Sequence, residues 1–168
     1  EKEKKTSFIK YKSSNKEGKI AQKILQDAAY ILQKDYDQLV SNEAAKKNYI
    51  GVHTKSGTTY SSLSMGAGEQ KILNMLQKVY NANQYSLILI DEIDLLLHID
   101  ALKKLIETLA KVAEKKKLQI IFTTHSLEMK NFEEYVDIKY IEQTMNKTLI
   151  YQSIKPELLY ELSGESKK

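Results

Sequence analysis

Apolar residues recur at spacings of three and four through Ala21, Leu25, Ala28, Leu32, Tyr36 and Leu39. This single stripe predicts an amphipathic helix from residue 19 to about 47. It is too short for a coiled-coil seam, so the stripe is expected to pack on a globular body. Two β-rich runs, 49–53 and 58–60, flank Thr54-Lys55-Ser56-Gly57 and predict a hairpin. Residues 61–68 form a Ser- and Gly-rich loop. A helix from 69 to about 81 then places Ile72, Leu73, Leu76, Val79 and Tyr80 on one face.

The pattern changes at Ser86-Leu87-Ile88-Leu89-Ile90, a continuous apolar run without alternation. Such a run suits a parallel strand buried on both faces. After Asp91-Glu92, a long helix is expected to begin at Asp100 as N-cap. It carries Leu102, Leu105, Ile106, Leu109 and Val112, and ends at Lys115-Lys116-Lys117, whose charge suits a helix C-terminus. A second apolar strand, 118–122, runs into Thr123-Thr124-His125-Ser126. Strand, helix, strand at this spacing is a βαβ unit with a parallel pair. The tail predicts a short helix near 126–131 and strands at 136–141 and 148–153 about Asn146-Lys147. A last helix is predicted from Pro156 to Leu162. The polar residues 1–18 hold only a β-like patch at 8–11. The expected fold is α/β, a mostly parallel sheet with flanking helices. Residues 1–48 would form an N-terminal segment and helix, and 49–168 the main lobe.

Composition narrows this picture. The 168 residues suffice for one domain or a lobe of one. No cysteine is present, which excludes disulfides and thiolate metal sites, and three scattered histidines argue against structural zinc. No apolar run approaches a membrane span, and the Lys- and Glu-rich start has no secretory apolar region. A cytoplasmic protein, and a fragment of a longer chain, is expected. The net charge of +4 comes from lysine alone, because the sequence has no arginine. It therefore offers no arginine finger and no bidentate reading of guanine. Lysines can still meet phosphate non-specifically, so DNA stays open as a partner beside the plainer reading of a solvated surface.

Three segments carry chemistry. Phosphoryl transfer needs a carboxylate beside Mg²⁺ and a second group to orient or deprotonate the attacking water. In an α/β sheet both belong at the carboxyl end of a buried strand. Asp91 fits the metal and Glu92 the base, although an acidic pair after a strand can equally be a solvated turn. His125 follows the next strand and should emerge at the same edge, where neutral imidazole can bond a γ-phosphate or the attacking water. The third segment, Leu63-Ser64-Met65-Gly66-Ala67-Gly68-Glu69-Gln70, stands directly before a helix. Its glycines and a helix N-terminus suit an anion, though alone it reads as a flexible linker.

In order, these segments resemble the C-terminal lobe of ABC-type ATPase heads, closer to the SMC, RecF and OLD-type ATPases than to transporters. Leu63-Ser64 and Gly68-Glu69-Gln70 match the family's signature Leu-Ser-Gly-Gly-Glu/Gln, with one residue too many between them. Either Ser64 or Gly66 could occupy the signature serine position, Ser64 being preferred. Asp91-Glu92 matches Walker B, and Ile93-Asp94 resembles the DNA-associated branch. Leu97-His98 is similar to the Leu-His-Pro of OLD-like heads, with Ile99 in place of the proline, which puts His98 at the D-loop position. Thr123-Thr124-His125-Ser126 resembles the H-loop. The likeness covers about residues 49–130.

The resemblance implies Mg²⁺-dependent ATP binding and hydrolysis by a head that dimerises around nucleotide. Asp91 would serve the metal and Glu92 and His125 hydrolysis. Ser64, Gly66, Gly68, Glu69 and His98 would contact nucleotide held by a second head. DNA repair, recombination or defence against foreign DNA is the setting that analogy suggests. The chain has no Gly-x4-Gly-Lys-Ser/Thr: its one Gly-Lys pair, Gly18-Lys19, is followed by Ile20. A Walker A lobe is therefore expected upstream or on another chain. The alternative is a non-catalytic scaffold that keeps this lobe without binding nucleotide.

Overall fold

The computed structural model describes residues 12–15, 17–44 and 47–152. The patch at 8–11 and the helix expected from Pro156 lie outside them. The chain divides into two units, 1–125 and 126–168.

In the first unit, β1 (Lys12–Asn15), β2 (Tyr36–Ala44), β3 (Lys47–Thr54) and β4 (Thr59–Ser61) form an antiparallel sheet in that order. The domain boundary expected at 48/49 falls inside β3. α1 (Lys19–Leu32) packs on β2, and α2 (Ala67–Asn81) and α3 (Ile99–Lys116) complete a three-helix cluster with it. β5 (Leu87–Ile90) pairs in parallel with β6 (Gln119–Phe122), with α3 between them in sequence. The second unit holds a 3₁₀ helix, Leu127–Phe132, and the antiparallel pair β7 (Tyr140–Gln143) and β8 (Thr148–Tyr151). Among the described residues no helix is long and apolar enough to cross a membrane.

The α/β class stands, but the mostly parallel sheet does not. Two of the three sheets are antiparallel, and β5–β6 is the parallel pair among the described residues. The helix expected to reach residue 47 also stops at Leu32, where Gln33 turns left-handed at φ 53°. The reason lies in the strand that follows. β2 carries an irregularity between Tyr36 and Gln38, which leaves Asp37 as an extra residue opposite β3. An extra residue in a strand puts positions three apart on one side, so Tyr36 and Leu39, both buried, imitate a helical period.

The α2 and α3 stripes bury as expected except at Tyr80, which is half-buried, each large buried side chain contributing about 1.5–3 kcal/mol. On α1 the buried line is Ile24, Ala28 and Ile31. Ala21, Leu25 and Leu32 lie half-buried beside it. The N-cap of α3 is His98 rather than Asp100. Its Nδ1 accepts from the Asp100 amide at 3.4 Å, and Asp100 sits in the first turn, where its charge suits the helix dipole. Lys116 serves a neighbour: its ammonium donates to the carbonyls of Val79, Tyr80 and Ala82 at the end of α2.

The parallel pair was expected to be buried on both faces. Instead Leu87, Leu89 and Ile121 are exposed, Leu89 by 70%, while Ile88, Ile90, Ile120 and Phe122 are half-buried. A single βαβ unit has one crossover helix, which can cover one face only.

Candidate functional site

The parallel register brings the carboxyl ends of β5 and β6 side by side, Ile90 opposite Phe122. Just beyond, Thr123 ties the two strand ends together. Its hydroxyl donates to Asp91 Oδ1 at 2.5 Å and accepts from the Glu92 amide at 2.8 Å. Its carbonyl accepts from the Ile93 amide at 2.9 Å. Ile93 is fully buried and anchors the turn in the core. Glu92 is held at φ 47°, a setting that non-glycine residues adopt only when their surroundings enforce it. One consequence is that its carboxylate stands 3.4 Å from His125 Nε2, with the imidazole 82% and the carboxylate 42% exposed. Asp91, Glu92 and His125 thus meet at one sheet edge.

Asp91 and His125 are exposed and Glu92 is half-buried. No group of three or more His, Asp and Glu among the described residues could hold a metal by itself. The donor set suits Mg²⁺, which takes one or two carboxylates and fills its shell with water and phosphate oxygens.

The second group lies around the N-terminus of α2. Ser64 is exposed, and its amide bonds the Ser61 carbonyl at 2.9 Å. Gln70 knits the loop from inside, its amide nitrogen donating to the carbonyls of Ser62 and Met65. Gly66 is the N-cap, and no side chain caps this helix, so its first N–H groups meet the cleft in front of them. That cleft, about 390 Å³, is lined by Gly66, Gly68, Leu97 and His98, by Lys34 from beyond α1, and by the carboxyl-bearing Glu69 and Asp100.

Glu69 does something else. It is only 6% exposed. Lys34 donates to its Oε2 at 2.7 Å, while Tyr36 and Tyr60 donate to its Oε1 at 2.5 and 2.8 Å. Burial pushes its pKa up, but the bonds from Lys34, Tyr36 and Tyr60 outweigh this and hold it below the ordinary value of 4.5. Burial and the Glu69 carboxylate push the Tyr36 hydroxyl well up. The hydrogen bonds of Glu69 join α2 to the antiparallel sheet through Tyr36 and Tyr60, and to the segment after α1 through Lys34, while Glu69 also lines the cleft.

The sequence-derived residues therefore fall into two groups. Asp91, Glu92 and His125 form one, Gly66, Gly68 and His98 the other, with Ser64 exposed on the loop before it. Sequence reasoning missed Thr123, whose signal was the Thr-Thr pair before His125. It also missed Lys71 on α2, whose ammonium donates to the carbonyls of Glu92 and Leu95 at 2.5 and 3.1 Å. Nothing in the sequence pointed to that lysine, since it reads as one more charge in a Lys-rich chain.

Comparison with known proteins places this geometry. The family model described as "AAA domain, putative AbiEii toxin, Type IV TA system" matches residues 5–129. No curated protein matches the chain by sequence. Among solved structures, one from "Structural biochemistry of ATP-driven dimerization and DNA stimulated activation of SMC ATPases" aligns with TM-score 0.55 at 14% identity, covering 88% of this chain and 94% of that one. The Smc head domain with a coiled coil and joint from Pyrococcus yayanosii aligns with TM-score 0.60 at 15% identity, covering 89% of this chain. The chain spans only 29% of that second protein. The fold is that of SMC ATPase heads.

Proposed function

The chain belongs to the AAA-domain family matched over residues 5–129, and on that premise we propose that it is the signature-bearing lobe of an ABC-type ATPase head that binds and hydrolyses ATP. The observation that carries this is the meeting of Asp91, Glu92 and His125 at the carboxyl ends of two parallel strands, with Glu92 and His125 3.4 Å apart.

In this reading Glu92 takes the proton of the attacking water, which an exposed carboxylate on a fixed backbone is suited to do. His125 Nε2 orients that water or a γ-phosphate oxygen, its neutral ring lending either a donor or an acceptor. Asp91, one of whose carboxylate oxygens accepts from Thr123, is the residue that would hold Mg²⁺, through coordinated water. When bound, the cation would neutralise charge developing on the phosphate oxygens. The phosphate cradle comes from a Walker A lobe, and the bare face bearing Leu87, Leu89 and Ile121 is the apolar surface against which such a lobe would pack.

The cleft of Gly66, Gly68 and His98 would receive the nucleotide of a second head. Support for this comes from the separation of the two groups and from the open N-terminus of α2, which suits phosphate. DNA, and a role in repair or defence, belongs to the same proposal by analogy with the SMC ATPases. So does a cytoplasmic setting. The deciding experiment is Glu92→Gln in the complete protein. ATP binding should persist while hydrolysis falls about 10²–10⁴-fold. Turnover within about twofold of wild type would remove Glu92 from the role.

A further inference from the structure

The turn that carries Glu92 is gripped from two sides, and we propose that Lys71 is a positioning residue that fixes the Glu92 backbone from the signature helix. Contact at the signature loop is thereby transmitted to the catalytic carboxylate. The inference rests on the reading of Glu92 as the base.

Its N–H side belongs to the sheet, through Thr123. Its C=O side belongs to α2: the Lys71 ammonium donates to the Glu92 carbonyl at 2.5 Å and to that of Leu95 at 3.1 Å. A turn of helix away, Gly68 meets the same segment. A Cβ at Gly68 would lie 2.6 Å from the Leu96 carbonyl, so only glycine allows this approach. Residues three apart share a helix face, and here that face is laid along the turn from 92 to 96.

Both Glu92 (φ 47°) and Leu96 (φ 66°) are left-handed without being glycine. Such residues hold their setting only while their surroundings over-determine it. The lysine supplies much of that constraint, because its donors satisfy two carbonyls that the turn points toward α2. α2 also begins at the signature loop, with Gly66 as its N-cap. A ligand against that N-terminus shifts a rigid rod whose next turn holds Glu92. Aligning a general base in this way is a matter of sub-ångström displacement, for which misplacement by about 1 Å costs about 10²-fold.

The test uses the complete ATPase with its P-loop lobe. Lys71→Met keeps the apolar stem and removes the donors, whereas Lys71→Arg keeps donors. We expect Lys71→Met to lower kcat about 10–100-fold, with KM for ATP within about threefold and the melting temperature nearly unchanged. Lys71→Arg should recover part of kcat, and amide exchange at Leu95 and Leu97 should quicken in Lys71→Met. If wild type hydrolyses ATP, Glu92→Gln abolishes it and Lys71→Met leaves kcat within about twofold, the inference is overturned. Equal losses in kcat, KM and melting temperature in both variants would make Lys71 merely structural and overturn it too. If wild type shows no hydrolysis, or Glu92→Gln leaves it intact, the underlying reading fails by itself. Exchange then decides the clamp: quickening at Leu95 and Leu97 sustains it, and unchanged exchange overturns it.

Discussion

Glu69 and Glu92 are carboxylates of the same type on the same unit, and their surroundings divide them. Glu69 is buried, with three hydrogen bonds to its oxygens and a lowered pKa. Glu92 is 42% exposed, faces one histidine at 3.4 Å, and is held by its backbone rather than by its side chain. A buried carboxylate that accepts three hydrogen bonds stabilises a fold, because removing it strands buried partners. One that is positioned but unsatisfied is ready to accept a proton. Both occupy motif positions, so motif membership alone does not describe their surroundings.

The comparison is broken most sharply by exchanging the roles. Glu92→Gln should reduce hydrolysis about 10²–10⁴-fold while shifting urea-unfolding stability by less than about 0.5 kcal/mol. A large stability loss would mean that Glu92 is also structural. Next in size is Gly66→Asp, since a Cβ there meets nothing within 4 Å and the fold should tolerate it. A carboxylate at the cleft should weaken ATP-dependent pairing of heads by about 10–100-fold, read by analytical ultracentrifugation with Mg-ATP. Gly68→Asp is a poorer probe of the same idea, because it must first displace the Leu96 backbone. Unchanged pairing in Gly66→Asp would detach this cleft from the partner's nucleotide.

Glu69→Ala should cost about 2–4 kcal/mol in stability, since it leaves Lys34, Tyr36 and Tyr60 without their acceptor. The pH dependence sharpens the assignment. Because the folded pKa is lowered from 4.5, the Glu69 contribution is complete above that value and is lost as pH falls through the folded pKa. The stabilities of wild type and Glu69→Gln should therefore converge on acidification below pH 4.5. A gap that holds constant with pH would assign the stabilisation to packing. The smallest effect expected is that of Tyr60→Phe, about 1 kcal/mol, because Tyr36 and Lys34 still satisfy the carboxylate.

Local periodicity made the long helices and the βαβ unit readable. The stripes on α2 and α3 are uninterrupted and repeat over several turns, and β5 and β6 are apolar runs with a helix between them. The Asp91, Glu92 and His125 group followed from that topology, because parallel strands deliver their carboxyl ends to one edge. The antiparallel sheet was harder. One extra residue in β2 gave Tyr36 and Leu39 the spacing of a helix, and strand pairing across distant segments leaves no short-range period. The hydrogen bonds of Glu69 to Lys34, Tyr36 and Tyr60 were not legible, because a signature position says where the backbone lies, not where a side chain turns. Lys71 was invisible for a related reason: its partners are carbonyls, and every residue has one.

The short parallel pair has a further consequence for the life of the chain outside any assembly. Among the described residues β5 pairs with β6 alone, so each strand keeps one edge of unpaired amides and carbonyls beside the exposed Leu87, Leu89 and Ile121. Uncharged, β-prone segments with a free edge are templates for the same segments in other copies. Growth of such stacks depends on concentration, whereas covering the edge within one molecule does not. At high concentration the isolated chain should therefore scatter light progressively, with a lag that shortens as more is added. A charge at Leu89 should lengthen that lag without touching the helices that form the core.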